Sequence, residues 1–219
     1  MNVSKHARRL NGWDTLSLYA AIVTSFSLTL SRIMLNNARI HQQLALLASR
    51  DSLTGALNRR AFYEKSDALL AKLKRNVAEV SVCLIDLDHF TRIHDTYGHT
   101  AIRLGDEVLK QFSNMVQSVI RSDDLFGRYG GEEFVLLLNN SNLQDAQRVI
   151  ERLRSRCESE GVQLDQQRLA MTFSAGLSHT RGPVETTLTR LLHTADQCLY
   201  AAKAAGRNQF IAQSEALPA

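Results

Sequence analysis

Proline is scarce: a chain of 219 residues holds two, Pro183 beside Gly182 and Pro218 near the end. No low-complexity linker and no internal repeat breaks the chain. Cysteine is scarce too. Cys83, Cys157 and Cys198 are odd in number and lack CxxC spacing, which excludes a disulfide framework and a zinc site and fits a reducing compartment. Each lies in an apolar stretch, where a thiol acts as a small hydrophobe. Lys and Arg are scattered rather than run together, so no patch tracks a phosphate backbone and no nucleic-acid partner is called for. The net charge of +4 is mild and suits a polyphosphate substrate. No Ser/His/Asp triad stands out. Ser174 reads as structural, and His179 and His193 read as surface or satisfied histidines without carboxylate partners. Hydrophobic residues make up 44% and charged residues 22%, ordinary values for a globular protein of one domain plus an appendage.

The appendage is residues 1–50. From Thr15 the chain carries no charge until Arg32, but Ser and Thr fill seven positions between Thr15 and Ser31. A membrane span usually needs ~20 predominantly apolar residues, so this stretch is borderline. Lys5, Arg8 and Arg9 precede it and Arg32, Arg39 and Arg50 follow it, so charge does not settle an orientation. No small-residue cleavage site marks it as a signal peptide. The same segment carries a heptad seam: Val23, Leu30, Asn37 and Leu44 at one position, Phe26, Ile33, Ile40 and Leu47 at the other. That seam favours a parallel coiled-coil homodimer, with Asn37 fixing register. One amphipathic helix packed on its own domain is the plainer alternative. Where the helix spans a membrane, the domain that follows is expected in the cytoplasm, tethered by it to the inner membrane.

The second region, 51–219, reads as an α/β (α+β) sheet with covering helices. Asp51-Ser-Leu-Thr-Gly55 is turn chemistry, followed by a helix from about Arg59 to Arg75. Val80–Asp86 is a buried strand. Gly105 to Ile120 is a helix with Val108, Leu109, Phe112 and Val116 on one face. Leu125–Tyr129 and Phe134–Leu138 flank Gly130-Gly131, which suits a two-residue hairpin turn. Leu143–Glu160 is helical, Ala170–Ser178 alternates as a strand, and Thr187–Ala205 is a helix closed by Gly206. Gln209–Ala212 ends the pattern as an edge strand.

Two acidic clusters stand out, Asp86 with Asp88 at a strand end and Glu132 with Glu133 at the hairpin tip. Carboxylates select hard cations such as Mg²⁺. Two such ions serve nucleotidyl transfer by activating a 3′-hydroxyl and steadying the leaving pyrophosphate. Gly130 and Gly131 lack side chains, so a nucleotide can approach the backbone. Taken alone, Gly-Gly-Glu-Glu is more often an ordinary turn with two solvated acids.

Several motifs agree, however. Asp51-Ser-Leu-Thr-Gly-Ala-Leu-Asn-Arg-Arg60, Ile85-Asp-Leu-Asp-His-Phe90, Asp95-Thr-Tyr-Gly-His99, Gly105-Asp-Glu-Val-Leu109, Arg128-Tyr-Gly-Gly-Glu-Glu-Phe134, and Ala195-Asp196 through Leu199-Tyr200 and Lys203 to Gly206-Arg207-Asn208 occur in order. From Asp51 to about Phe210 the chain resembles the GGDEF diguanylate cyclases. The resemblance implies a palm-like sheet shared with adenylyl cyclases. It implies condensation of two GTP into cyclic di-GMP, with Mg²⁺ or Mn²⁺ as cofactor. It assigns metal binding to Asp86, Glu133 and the Leu87 carbonyl, and the acid beside the attacking 3′-hydroxyl to Glu132. Backbone amides around His89 and Phe90, with Lys203 and Arg207, would hold the phosphates. Asp106 would accept from guanine. Arg121-Ser-Asp-Asp124 matches the family's RxxD inhibitory site for the cyclic di-GMP product.

Three departures cluster in the substrate pocket. Thr91 stands where the family has Lys, and His94 where it has the Asn that reads guanine. Five residues separate His99 from Gly105 where two are general, which adds a helical turn or a bulge before Asp106. Three functional readings follow: an active cyclase with altered guanine recognition, a degenerate domain that senses cyclic di-GMP through Arg121 and Asp124, and a cyclase making an adenine-containing dinucleotide.

Overall fold

The structure is a computed structural model that describes residues 12–47, 49–73, 79–91, 101–164, 167–181 and 187–214. The chain divides into two compact units, Met1–Ala48 and Ser49–Ala219. The first is a single helix, α1 (Gly12–Leu47). Its stretch Thr15–Asn36 is long and apolar enough, by length and composition, to cross a membrane, and none of it is buried. The hydroxyls of Thr24 and Thr29 donate back to the carbonyls of Ala20 (2.9 Å) and Ser25 (2.8 Å), which satisfies polar groups inside the helix itself.

The second unit contains β1 (Leu57–Asn58), α2 (Arg59–Leu73), β2 (Glu79–Leu87), α3 (Ala101–Val119), β3 (Leu125–Arg128), β4 (Glu133–Asn139), α4 (Leu143–Glu160), β5 (Val162–Leu164), β6 (Gln167–Leu169), β7 (Phe173–Arg181), α5 (Leu188–Ala204) and β8 (Phe210–Ser214). Six strands form one sheet in the order β1-β3-β4-β2-β7-β8, and β5 and β6 form a separate hairpin. The central pairs β3–β4, β4–β2 and β2–β7 are antiparallel, while both edge strands pair in parallel. This is the mixed sheet with flanking helices that the sequence pattern implies.

Strand parity sorts the core onto two faces. Cys83, Ile85, Leu87, Phe134, Leu136, Leu138, Ala175 and Leu177 face one cluster with Phe112 of α3 and Ile150 of α4. Val80, Val82, Leu84, Val135 and Leu137 face the other, with Phe62 of α2 and Leu191 of α5. Both faces are covered. For that reason β7 is buried along all but its last residue and does not alternate, and it runs to Arg181 rather than stopping at Ser178. His179 is buried on β7, and its Nδ1 lies 3.0 Å from the Ser81 hydroxyl. Burial raises the pKa of all three thiols, which keeps them protonated and inert.

Caps fix where the helices begin. The Asn58 side chain accepts from Ala61 N at 2.9 Å, and that of Asn142 from Asp145 N at 2.8 Å. Thr187 caps α5, and Gly206 follows its end at φ 115°. Gly176 decides how close α5 lies to the sheet. A Cβ placed there would collide with the carbonyl of Ala195 and the amide of Leu199, both backbone atoms of α5. Replacing Gly176 by Ala must push α5 off β7. We expect Gly176→Ala to cost about 3 kcal/mol, since overpacking against backbone finds no side chain to move aside. In thermal unfolding the midpoint should fall by roughly 10 °C. An unchanged midpoint would show that α5 sits farther from β7 than described.

Candidate active site

β2 and β4 pair so that Asp86 lies directly opposite Glu133. Parity puts Asp86 on the face of Val82 and Leu84, and Glu133 on the face of Val135 and Leu137, so both carboxylates face α5. Like charges placed directly across a ladder repel. One cation answers them: Lys203, in the last turn of α5, lies 2.8 Å from Asp86, whose side chain is 13% exposed. Burial chiefly, then the Asp86 charge, pushes the Glu133 carboxyl above its ordinary range, against the pull of Lys203. Glu132 and Asp196 add further negative charge there.

Two acids with one lysine leave a charge surplus that suits a second cation, and carboxylate oxygens select a hard one. Among the described residues no three His, Cys, Asp or Glu side chains are gathered as a complete ligand set. Two carboxylates are a donor set that suits a hard divalent cation whose shell is completed by substrate phosphate.

The turn between β3 and β4 differs from the two-residue hairpin expected. Tyr129 N donates to Glu133 O at 2.8 Å and Glu133 N to Gly130 O at 3.2 Å, which leaves three residues, Gly130 to Glu132, in the turn. Neither Gly130 nor Gly131 has a positive φ, so the type I′ geometry is absent. The glycines serve space instead. A Cβ at Gly130 would sit 3.0 Å from Glu133 Oε2, while at Gly131 nothing lies within 4 Å. The turn is held from outside. Arg128 donates twice to the Gly131 carbonyl (2.8 and 3.1 Å) and also to Asp51 (3.2 Å). Asp51 in turn accepts from Thr54 N and Oγ1. On the other side the guanidinium of Arg59 lies 4.4 Å over the Tyr129 ring, and the hydroxyls of Tyr63 and Tyr129 are 3.0 Å apart.

The remaining residues divide. His89, at φ 60°, turns the chain out of β2, and the ring of Phe90 lies against Gly105, where a Cβ would come within 3.2 Å of it. The segment before Gly105 is helical from Ala101, and Asp106 follows the Phe90 contact directly. Thr91 is exposed. His94 lies outside the described residues, as do Asp95 to His99. Asp88 does not join Asp86. Its carboxylate accepts from Ser174 Oγ (2.7 Å), Thr172 Oγ1 (2.9 Å) and Asn208 N (3.0 Å). It is a structural tie between β7 and the segment after α5. Arg207 is exposed at φ 65°.

Arg121 and Asp124 lie between two grooves. One, of about 460 Å³, is lined by Arg50, Lys65 and Gln117, the other, of about 280 Å³, by Asp145, Arg148 and Arg152. The Asp124 carboxylate accepts from Arg121 N (2.8 Å) and Asn139 N (3.0 Å), tying the turn to β4. Burial raises its pKa. Sequence reasoning assigned no part to Arg128, Arg59, Tyr129 or Asn208. Their contacts join segments far apart in the chain, and no local pattern announces them.

The Glu133 shift fixes a sign. A carboxyl whose pKa is raised on folding holds its proton more tightly in the folded state, so stability falls as pH rises through the window between the ordinary and the raised values. At pH 7, without divalent metal, the ionised Glu133 is a cost. Glu133→Gln should unfold at an equal or higher temperature than wild type in that buffer, with the gap closing in acid. Added Mg²⁺ should stabilise wild type alone. A metal-free variant that melts lower than wild type at pH 7 would contradict the charge surplus.

Comparison with known proteins agrees with this architecture. The chain is 40% identical over 170 residues to the response regulator PleD of Caulobacter vibrioides, a match covering 77% of this chain and 37% of PleD. It is 36% identical over 162 residues to diguanylate cyclase DgcP of Pseudomonas aeruginosa, covering 74% of this chain and 23% of that one. It thus spans less than half the length of these relatives. The active GGEEF domain of a diguanylate cyclase from Vibrio cholerae superposes with a TM-score of 0.64 at 32% identity, covering 74% of this chain and 98% of that domain. The family model described as diguanylate cyclase, GGDEF domain matches residues 48–209, a span that includes every strand bearing the Asp86–Glu133 pair, and the chain belongs to that family.

Proposed function

We propose that this chain condenses two GTP molecules into cyclic di-GMP, releasing two pyrophosphates. The observation that carries the reading is the opposed pair Asp86 and Glu133 with Lys203 at 2.8 Å, beside a turn that keeps open space at Gly131. Each domain holds one GTP. Asp86, Glu133 and the Leu87 carbonyl would hold Mg²⁺ or Mn²⁺, which would neutralise charge on the phosphates. Lys203 and Arg207 add fixed positive charge, and amides around His89 and Phe90 receive phosphate oxygens. Glu132 accepts the proton of the 3′-hydroxyl. That oxygen forms a bond to the α-phosphorus of the GTP on the facing copy, and the bond from that phosphorus to the β-phosphate oxygen breaks. A second, symmetric transfer closes the ring.

The chemistry needs two copies face to face. The heptad seam from Val23 to Leu47 supports a parallel homodimer through the N-terminal helix. The exposed apolar stretch Thr15–Asn36, with its internally bonded threonines, supports membrane association of that same helix with the catalytic domain in the cytoplasm. Arg121 and Asp124, between their two grooves, take the cyclic product and restrain turnover. Asp106 accepts from guanine. Thr91 favours the second reading, a weakly active or inactive domain that senses cyclic di-GMP at Arg121, because the loop after β2 then lacks a cation at that place.

Incubation of the dimeric chain with GTP and Mg²⁺ should yield cyclic di-GMP, read by chromatography, with turnover slowing as product accumulates. Arg121→Ala should keep the initial rate and lose the slowing, with product affinity reduced at least tenfold, the scale of a lost charge-assisted contact. No product from a verified dimer, alongside tight cyclic di-GMP binding abolished in Arg121→Ala, would replace the cyclase reading by the receptor.

A further inference from the structure

Two consecutive residues other than glycine adopt left-handed backbone after Gly206: Arg207 at φ 65° and Asn208 at φ 46°. Asn tolerates that region and Arg rarely enters it. Such a conformation persists only where its surroundings impose it. Here they do so through Asn208. Its backbone N donates to Asp88 Oδ2 at 3.0 Å, its Nδ2 donates to Glu158 Oε1 at 2.9 Å, and its Oδ1 accepts from Arg154 Nη1 at 3.2 Å. Two of the partners are themselves tied down. Asp88 is fixed by Ser174 and Thr172 on the β7 side. Arg154 is held on α4 by Glu151 at 2.7 Å and Glu158 at 3.0 Å. Asn208 thus spans from the end of β2 to α4, with Arg207 as its immediate neighbour in the chain. Arg207 N in turn donates to Ala202 O, in the turn of α5 that carries Lys203.

We propose that Asn208 is a positioning residue that acts through Arg207, with Arg154 and Glu158 as its brace: it holds the Arg207 backbone in the left-handed form that sets this guanidinium beside Lys203 for the substrate's phosphates. The inference rests on the reading of Arg207 as a phosphate clamp. It accounts for a charged cluster on α4 that turns toward the chain segment after α5 although none of its members touches the Asp86–Glu133 face. A purely structural role would tie the segment equally well without any effect specific to nucleotide.

The test is a double-mutant cycle on the full chain. KM and kcat for GTP are measured with Mg²⁺, and the Kd of a non-hydrolysable GTP analogue is measured in parallel. Asn208→Ala should raise KM and Kd about tenfold, the cost of a misplaced charge clamp, with a smaller change in kcat. In the Arg207→Ala background the same substitution should add nothing. Arg154→Ala should reproduce the effect, and it serves with Asn208→Gly if Asn208→Ala does not fold. Additive losses in the double variant, or an unchanged KM in Asn208→Ala, overturn the positioning role while leaving the Arg207 clamp intact. An unchanged KM in Arg207→Ala overturns the clamp, and the inference with it.

Discussion

Two carboxylates face each other across paired strands, and most of the domain exists to hold them there. Asp86 and Glu133 repel, so left to themselves they would loosen the β2–β4 ladder. Seven paired positions along that ladder, most of them buried and apolar, keep the register from moving. A slip of β2 by one residue would turn Asp86 to the opposite face, among Phe112 and Ile150, and separate it from Glu133. The lysine that answers them comes from α5, and α5 lies close because Gly176 offers no Cβ to its backbone. Register, the missing side chain at Gly176, and the Lys203–Asp86 pair form one chain of dependence, and the charge surplus at its end is what gives the site an appetite for a cation.

The turn carrying Glu132 obeys a second requirement: rigid, with nothing inside it. A tight turn is commonly stiffened by its own side chains, but here Gly130 and Gly131 forgo them. Stiffness is imported. Arg128 grips the Gly131 carbonyl while it is itself gripped by Asp51, and Arg59 stacks on Tyr129 where the turn begins. Glu133 belongs to β4 and inherits the sheet's rigidity. Glu132 belongs to the turn, where its carbonyl accepts from Leu87 N at 3.3 Å and ties the turn to β2.

How far the sequence discloses this depends on whether the signal is local. The mixed sheet, its covering helices and the acids at a strand end and a hairpin tip follow from apolar runs, turn residues and motif order, all written in neighbouring residues. The strand through Ser174 looked alternating because helices on both faces bury its polar and apolar positions alike. The short pair β5–β6 has too few residues to register a period. Gly-Gly suits a two-residue turn, but its glycines are there for clearance and not for positive φ. Asp88 looked like a partner of Asp86 because they are two apart. The strand ends between them, parity lapses, and Asp88 finds Ser174, Thr172 and Asn208 instead. The Arg128–Asp51 and Arg154–Asn208 contacts join residues 77 and 54 positions apart, beyond any spacing rule.

The same distinction explains where this chain departs from its family's pattern. Thr91 and His94 follow the end of β2, and the added residues precede Gly105. Both lie outside the sheet strands, and an inserted residue outside a strand leaves the ladder register undisturbed. In the structure α3 is helical from Ala101, and the ring of Phe90, just past β2, lies against Gly105 in its second turn. No comparable slack exists at Asp86, Glu133 or Gly176, where one residue gained or lost would reverse the faces of a central strand. Sequence can therefore vary around the segment between β2 and α3 while the acid pair stays fixed. The asymmetry needs no appeal to history, since it follows from one half of the site resting on loops and the other on sheet register.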